Sequence, residues 1–258
     1  KRKKPQDVTF LSTGDRTEMA FVTWEKSDTI ARVIMTNGEN RQNLDFANDM
    51  SRVLDEIKAD PAVTALILTS ADTKYWSLGV DVDWIGRQMQ ASANDQIKAF
   101  MYGMNTVFKQ LLLYPVPVIG ALNGHAFGNG AILACACDFR LMRADRGYFC
   151  FPEVDLGIPF LPGMIEMVKK AVPHCKFNEL KLTGKRAGAA ELQTHHVIEK
   201  ACENEQSLTE DALAFAAMFH KKRGIFAEHK KRLHKPIIEA MDHADPEYIE
   251  ALFLFVND

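Results

Sequence analysis

Apolar residues along this chain fall into two alternating rhythms. Ala31 to Thr36 (ARVIMT) is a short apolar run closed by Asn37-Gly38, which predicts a strand ending in a turn. Phe46, Met50, Val53, Leu54 and Ile57 then recur at helical spacing, and Asp60-Pro61 stops that helix. Thr64 to Thr69 (TALILT) predicts a second, buried strand, followed by a polar turn and the stretch Trp76 to Asp81. Residues 92 to 113 predict a long helix with Ile97, Met101, Met104 and Phe108 on its apolar side. Pro115 and Pro117 interrupt the pattern, and Val116 to Leu122 predicts a third strand. A glycine-rich turn leads into an apolar helix from Asn129, and Phe139 to Met142 predicts a fourth strand. Strand and helix alternating in this way argue for an α/β core.

Beyond about residue 163 the strand rhythm stops. Met164 to Ala171, Phe177 to Leu182, Ser207 to Lys221 and Gly224 to Met241 predict helices, and Ser207-Leu208-Thr209-Glu210 reads as a capping box for the third. No strand is expected in this last part. The expected division is a core of residues 1–190 carrying the active site and a helical region, 191–258, suited to oligomerisation.

Composition narrows the class. Apolar residues make up 47% and charged residues 25% of 258, an ordinary globular balance. A formal net charge of −3 gives no reason to expect nucleic acid or an anionic membrane as partner. Lys1-Arg2-Lys3-Lys4 is too short a basic run to read as more than a solvated tail. Five cysteines show no metal-ligand spacing, and Cys135 and Cys137 sit in an apolar helix, so reduced thiols in a cytoplasmic protein are expected. No apolar run reaches membrane-span length, and neither a secretory signal nor a retention tail is read at the ends.

The chemistry concentrates between Gly124 and Phe160. Gly124-His125-Ala126-Phe127-Gly128-Asn129-Gly130 joins a strand to a helix and matches neither a dinucleotide fingerprint nor a P-loop. Its glycines let backbone approach closely, and the helix start leaves N–H donors free for a negative oxygen. A tight connection with glycines for packing is the equally weighted plain reading. Upstream, Leu78-Gly79-Val80-Asp81 offers a second donor, with Asp81 more readily a helix cap than a base. Glu153, between Phe151-Pro152 and Val154, is a carboxylate in apolar company, a base whose pKa burial would raise.

Taken in order, these segments resemble the enoyl-CoA hydratase/isomerase (crotonase) superfamily. Gly79-Val80-Asp81 is similar to its G-x-D loop, and Asn123 to Gly130 to its N-G-x-A-x-G-G-G turn, with Asn129 where glycine is usual. Cys137-Asp138-Phe139-Arg140, Pro152-Glu153-Val154-Asp155-Leu156-Gly157 and Leu182-Thr183-Gly184-Lys185-Arg186 fall at the family's intervals. The resemblance covers roughly residues 20 to 200 by motif. It implies a spiral of ββα units, a C-terminal helical trimerisation region, a homotrimer or dimer of trimers, and acyl-CoA thioesters as substrates. No separate cofactor or metal is implied, coenzyme A being part of the substrate. By carry-over, the backbone N–H groups of Val80 and Asn129 form the oxyanion hole and Glu153 is the acid/base. Leu78, Gly79, Asp81, Gly128, His125 and Ile132 are the expected substrate-binding positions. The Asn129 side chain is expected to crowd or hydrogen-bond the acyl group.

The resemblance also separates reactions. Hydratases in the family carry a second glutamate at the position of Ile132, and dienoyl-CoA isomerases an acidic partner at the position of Leu161. Members with a single glutamate at the Glu153 position are mostly Δ3,Δ2-enoyl-CoA isomerases, which Tyr148 to Gly157 also resembles. Isomerisation is therefore the expected activity, ahead of hydration or thioester hydrolysis and of a non-catalytic acyl-CoA binder. Asp138 and Arg140 are expected to be structural, Trp76, Trp84, Met101 and Met104 to be core or tunnel wall, and His195-His196 not to hold a metal.

Overall fold

A computed structural model describes residues 20–256. The basic start at Lys1 to Lys4 and the final Asn257 and Asp258 lie outside them. The first strands are β1 (Val22–Ser27), β2 (Ile30–Met35) and the short β3 (Arg41–Gln42). Helix α1 (Leu44–Ala59) follows; the Asn43 side chain caps it by accepting from Phe46 N–H. Next come β4 (Ala65–Ser70), β5 (Tyr75–Ser77), β6 (Gly79–Val80), α2 (Val82–Gln90) and α3 (Asn94–Leu112). The middle of the chain forms β7 (Val118–Leu122), β8 (His125–Phe127), α4 (Asn129–Ala136), β9 (Phe139–Arg143) and β10 (Phe149–Cys150). A single 3-10 turn, Pro152–Val154, precedes α5 (Pro162–Ala171), α6 (His174–Thr183) and α7 (Ala189–Thr194). The rest is β11 (Lys200–Cys202), α8 (Glu205–Ala217), α9 (Arg223–Leu233), α10 (Lys235–His243) and α11 (Asp245–Glu250).

The main sheet runs β1-β2-β4-β7-β9-β11, parallel except for the β1–β2 hairpin. β4 shows why its sequence is apolar without alternation. Leu66 and Leu68 join the large core beneath α1 and α3, while Ala65 and Ile67 meet Leu208, Ala212 and Ala216 of α8 on the opposite face. A second, three-stranded parallel sheet, β10-β8-β5, and the two-stranded β3-β6 ladder stand beside α4. All eight residues of α4 are buried, so its N-terminus faces the interior.

Three sequence expectations fail. β11 is a strand in the region expected to have none, an edge of three residues paired to β9, too short to leave a pattern. Together with α8 it brings residues after 190 into the main sheet and its packing. The capping box of α8 lies earlier than expected: Asn204 accepts from Ser207 N–H, and Ser207 Oγ accepts from Asn204 N–H. The helix expected over 224–241 breaks at His234, because Pro236 has no N–H to continue the ladder and instead starts α10. All five cysteines are free, and Cys135 and Cys137 lie in the core, where burial pushes their thiols up to about 11 and about 12.

Candidate active site

Two glycines bring β5 and β6 against the start of α4. A Cβ added to Gly130 would lie 2.3 Å from Ser77 O, and one on Gly79 would lie 2.8 Å from Asn129 N. Only hydrogen at these positions permits that approach. The first hydrogen bond of α4 runs from Ile132 N–H to Gly128 O (3.0 Å), so Asn129 N–H precedes the helical ladder. Gly79 takes φ +80°, and Asp81 N–H donates to Gln42 O on β3 (2.9 Å). Val80, between them, lies on the same cavity lining as Asn129. Val80 and Asn129 thus border one space.

That space is a cavity of about 250 Å³. Leu78, Val80, Gly128, Asn129, Ile132 and Glu153 lie around it, joined by Met101 and Met104 of α3 and by Phe160 and Leu161. Phe253, Leu254 and Phe255, just beyond α11, close one side. Their strap is fastened by Val256 N–H donating to Gly157 O (2.8 Å), and Gly157, at φ +64°, is needed there because a Cβ would lie 2.7 Å from Val256 O. Glu153 and Arg41 are the only ionisable side chains among the described lining residues. Glu153 is 7% exposed. Its Oε1 would lie 3.1 Å from a Cβ on Gly128, and its Oε2 is buried without a hydrogen-bond partner. Burial pushes the carboxyl up to about 7, against the smaller opposing effects of its own backbone N–H and the Lys181 ammonium.

Three expected binding positions do not line the cavity. Gly79 shapes it through backbone contact alone. Asp81 caps α2, its Oδ1 accepting from Trp84 N–H at 2.9 Å. His125 lies at the far end of β8 from Gly128 and stacks on Tyr148 (centroids 5.8 Å apart), close to Phe127 and Tyr75. Trp76 is fully buried core, and Trp84 packs edge-on against Phe100. Asp138 and Arg140 build the strand–helix corner, as expected. Asp138 Oδ2 accepts from Val118 N–H and Lys230 Nζ, while Arg140 Nη1 and Lys170 Nζ both donate to Cys137 O beyond the C-terminal end of α4. Cations at that end complement the helix dipole whose positive end faces the cavity.

A polar network absent from the sequence reading ties Asn129 to β3 and β5. Asn129 Nδ2 donates to Gln42 Oε1 (2.6 Å), so this side chain is engaged within the protein. Gln42 Nε2 donates to Ser77 Oγ (3.2 Å), which donates to Asn40 O (2.7 Å). Gln42, Ser77 and Asn40 are all fully buried. Among the described residues no group of three or more His, Cys, Asp or Glu side chains is arranged to hold a metal ion, and no helix is long and apolar enough to cross a membrane.

The profile of the enoyl-CoA hydratase/isomerase family matches residues 25–251. The peroxisomal enoyl-CoA delta isomerase 2 of Arabidopsis thaliana is 27% identical over 179 residues, 69% of this chain and 75% of that protein. The carnitinyl-CoA dehydratase of Escherichia coli (strain K12) is 34% identical over 143 residues, 55% of this chain and 52% of that protein. In three dimensions the chain is similar to an enoyl-CoA hydratase from Bacillus halodurans, with a TM-score of 0.81 over 90% of this chain and 95% of that one. At 19% identity that likeness speaks for the fold alone.

Proposed function

The chain is a member of the enoyl-CoA hydratase/isomerase family, with that family's mixed α/β fold and a C-terminal helical region, and on this footing we propose that it is a Δ3,Δ2-enoyl-CoA isomerase. Similar proteins bear the names of an isomerase, a dehydratase and a hydratase, so the reaction must be argued from the site. One observation carries the choice: a single carboxylate, Glu153, faces a cavity whose other walls are apolar but for Arg41 and the Asn129 amide. Ile132 and Leu161, which occupy the positions of a second acid in other members, are themselves wall residues. Adding water across a double bond calls for a positioned water and paired proton transfers, which isoleucine and leucine cannot supply. Moving a double bond needs one group that takes a proton and gives it back.

In this reading the thioester oxygen lies between the N–H groups of Val80 and Asn129. Glu153 removes a proton from C2, the negative charge spreads into a dienolate held by the two donors, and the same carboxyl returns the proton to C4. Loss of one such donor typically costs about 10²–10³ in rate. A carboxyl near 7 suits both directions of transfer, being neither a locked anion nor a locked acid. The apolar cavity keeps bulk water from the intermediate. Coenzyme A enters as part of the substrate, and the chemistry asks for no separate cofactor.

A direct ultraviolet assay with 3-enoyl-CoA tests the proposal, with the product analysed by mass. An unchanged mass with a shifted double bond supports isomerisation; a product heavier by one water supports hydration, and release of free coenzyme A with the acid supports thioester hydrolysis instead. Glu153→Gln should abolish turnover, and full activity in that variant would sink the mechanism. Acyl-CoA binding without turnover across a substrate panel would mark a non-catalytic binder.

A further inference from the structure

We propose that Lys181 is a positioning residue that sets the protonation balance of Glu153 from behind the cavity wall, where the ring of Phe160 holds it. The inference rests on the acid/base reading of Glu153 for its catalytic consequence, while its physical content concerns the two side chains alone.

Lys181 lies on α6, which packs against the 3-10 turn that carries Glu153. It is half-buried, and its Nζ stands 3.7 Å from the centroid of the Phe160 ring, which itself lines the cavity. Among the described residues the ammonium has neither a hydrogen-bond partner nor an ion pair, and Glu153 is the charged group that acts on it. The carboxyl is in the matching condition, with Oε2 buried and unpartnered. These two groups therefore feel each other without touching. Burial alone draws the ammonium below its ordinary value, and the aromatic face offsets part of that penalty.

The absence of a direct ion pair between them has chemical meaning. A carboxyl buried with no cation nearby stays protonated and makes a poor base. A carboxylate in direct contact with an ammonium stays ionised and returns a proton poorly. A cation near the carboxyl but out of contact with it leaves both forms accessible near neutral pH. The other groups around Glu153 do not supply this field. Cys150 on β10 is a buried thiol pushed up to about 11, hence neutral, and α4 carries no ionisable side chain in its first turn, Gly128 N–H being engaged with Cys150 O. Asp155 rests on Gly184, Arg186 lies over the ring of Phe127, and Arg41, on the cavity lining, is paired with Glu39.

The test is a carboxyl titration of protein carrying 13C-labelled glutamate without ligand, the Glu153 signal being identified by its loss in Glu153→Gln. In Lys181→Met the midpoint should rise by about half to one pH unit, since removing a positive neighbour disfavours the anion. Lys181→Arg should restore it to within a few tenths of a unit, which a purely structural role of the side chain would not require. The acidic limb of kcat/KM for 3-enoyl-CoA should move by the same amount. An unchanged midpoint in Lys181→Met overturns the proposal. A midpoint that moves in a protein inactive on 3-enoyl-CoA upholds it while sinking the isomerase reading.

Discussion

Replacing Glu153 with glutamine should make the protein more stable at alkaline pH than at acidic pH, relative to the wild type. The carboxyl has an ordinary value of 4.5 and stands at about 7 in the folded chain. Because the folded value is raised for an acid, the unfolded chain releases this proton first as pH climbs. Stability from this group is fully present below about 4.5, falls across the interval up to about 7, and is flat above it. At about 1.4 kcal/mol per unit, the full interval corresponds to about 3 kcal/mol. Relaxation and water entry around the ionised group lower this, so a change of about 1–3 kcal/mol is expected. Glutamine cannot ionise; any fixed cost of its amide shifts the curve without tilting it. Urea unfolding of both proteins between about pH 5 and about pH 8 should show the stability difference moving in favour of Glu153→Gln by that amount. In thermal scans the same change corresponds to roughly 3–10 °C. A difference constant across this range would refute the raised carboxyl and the burial argument behind it. The group that makes the site chemical is, by this account, one the fold would be steadier without.

Three further outcomes follow from the architecture. Gly130→Ala places a methyl 2.3 Å from Ser77 O, so β5 and α4 must part; urea unfolding should show a loss of about 3 kcal/mol or more, with turnover lost too. Gln42→Leu removes the acceptor of Asn129 Nδ2 within the buried network and should cost about 1–3 kcal/mol by the same measurement. Asp81→Ala removes the cap of α2 and should cost about 1 kcal/mol while leaving turnover of 3-enoyl-CoA nearly unchanged, which a binding or base role would not allow.

What could be read from the sequence follows from where each signal originates. The strand in TALILT is legible because burial on both faces writes itself as an unbroken apolar run. β1 is not, because only Val22 of its six residues is buried and the rest face solvent or lie at the edge. The break at His234 had a local cause, Pro236, that a purely periodic reading overrides. Within the site, Glu153 and the glycine turn stand out because a lone acid among apolar residues and clustered glycines are both unusual. Gln42 and Lys181 are invisible for the opposite reason. Gln42 sits in a polar stretch and Lys181 is an ordinary helix lysine between two leucines, and the burial of each arises only when distant segments close around it. His125 shows the limit of adjacency: it belongs to the same turn as Gly128, yet three residues of strand carry it to the far end of β8.

The strap from Phe253 to Val256 gives the cavity a clock of its own. Among the described residues one backbone hydrogen bond, from Val256 to Gly157, ties it across the cavity, while Phe253 and Leu254 N–H donate only back to Tyr248 O and Leu252 O, and the rings of Phe253 and Phe255 remain about half exposed. Segments with few buried contacts and exposed hydrogen bonds open far below the free energy of global unfolding. Its release would leave every strand pairing of the main sheet in place. One side of the cavity can then open locally, without breathing of the whole fold, and the exchange rate of the Val256 amide with deuterium reports that event.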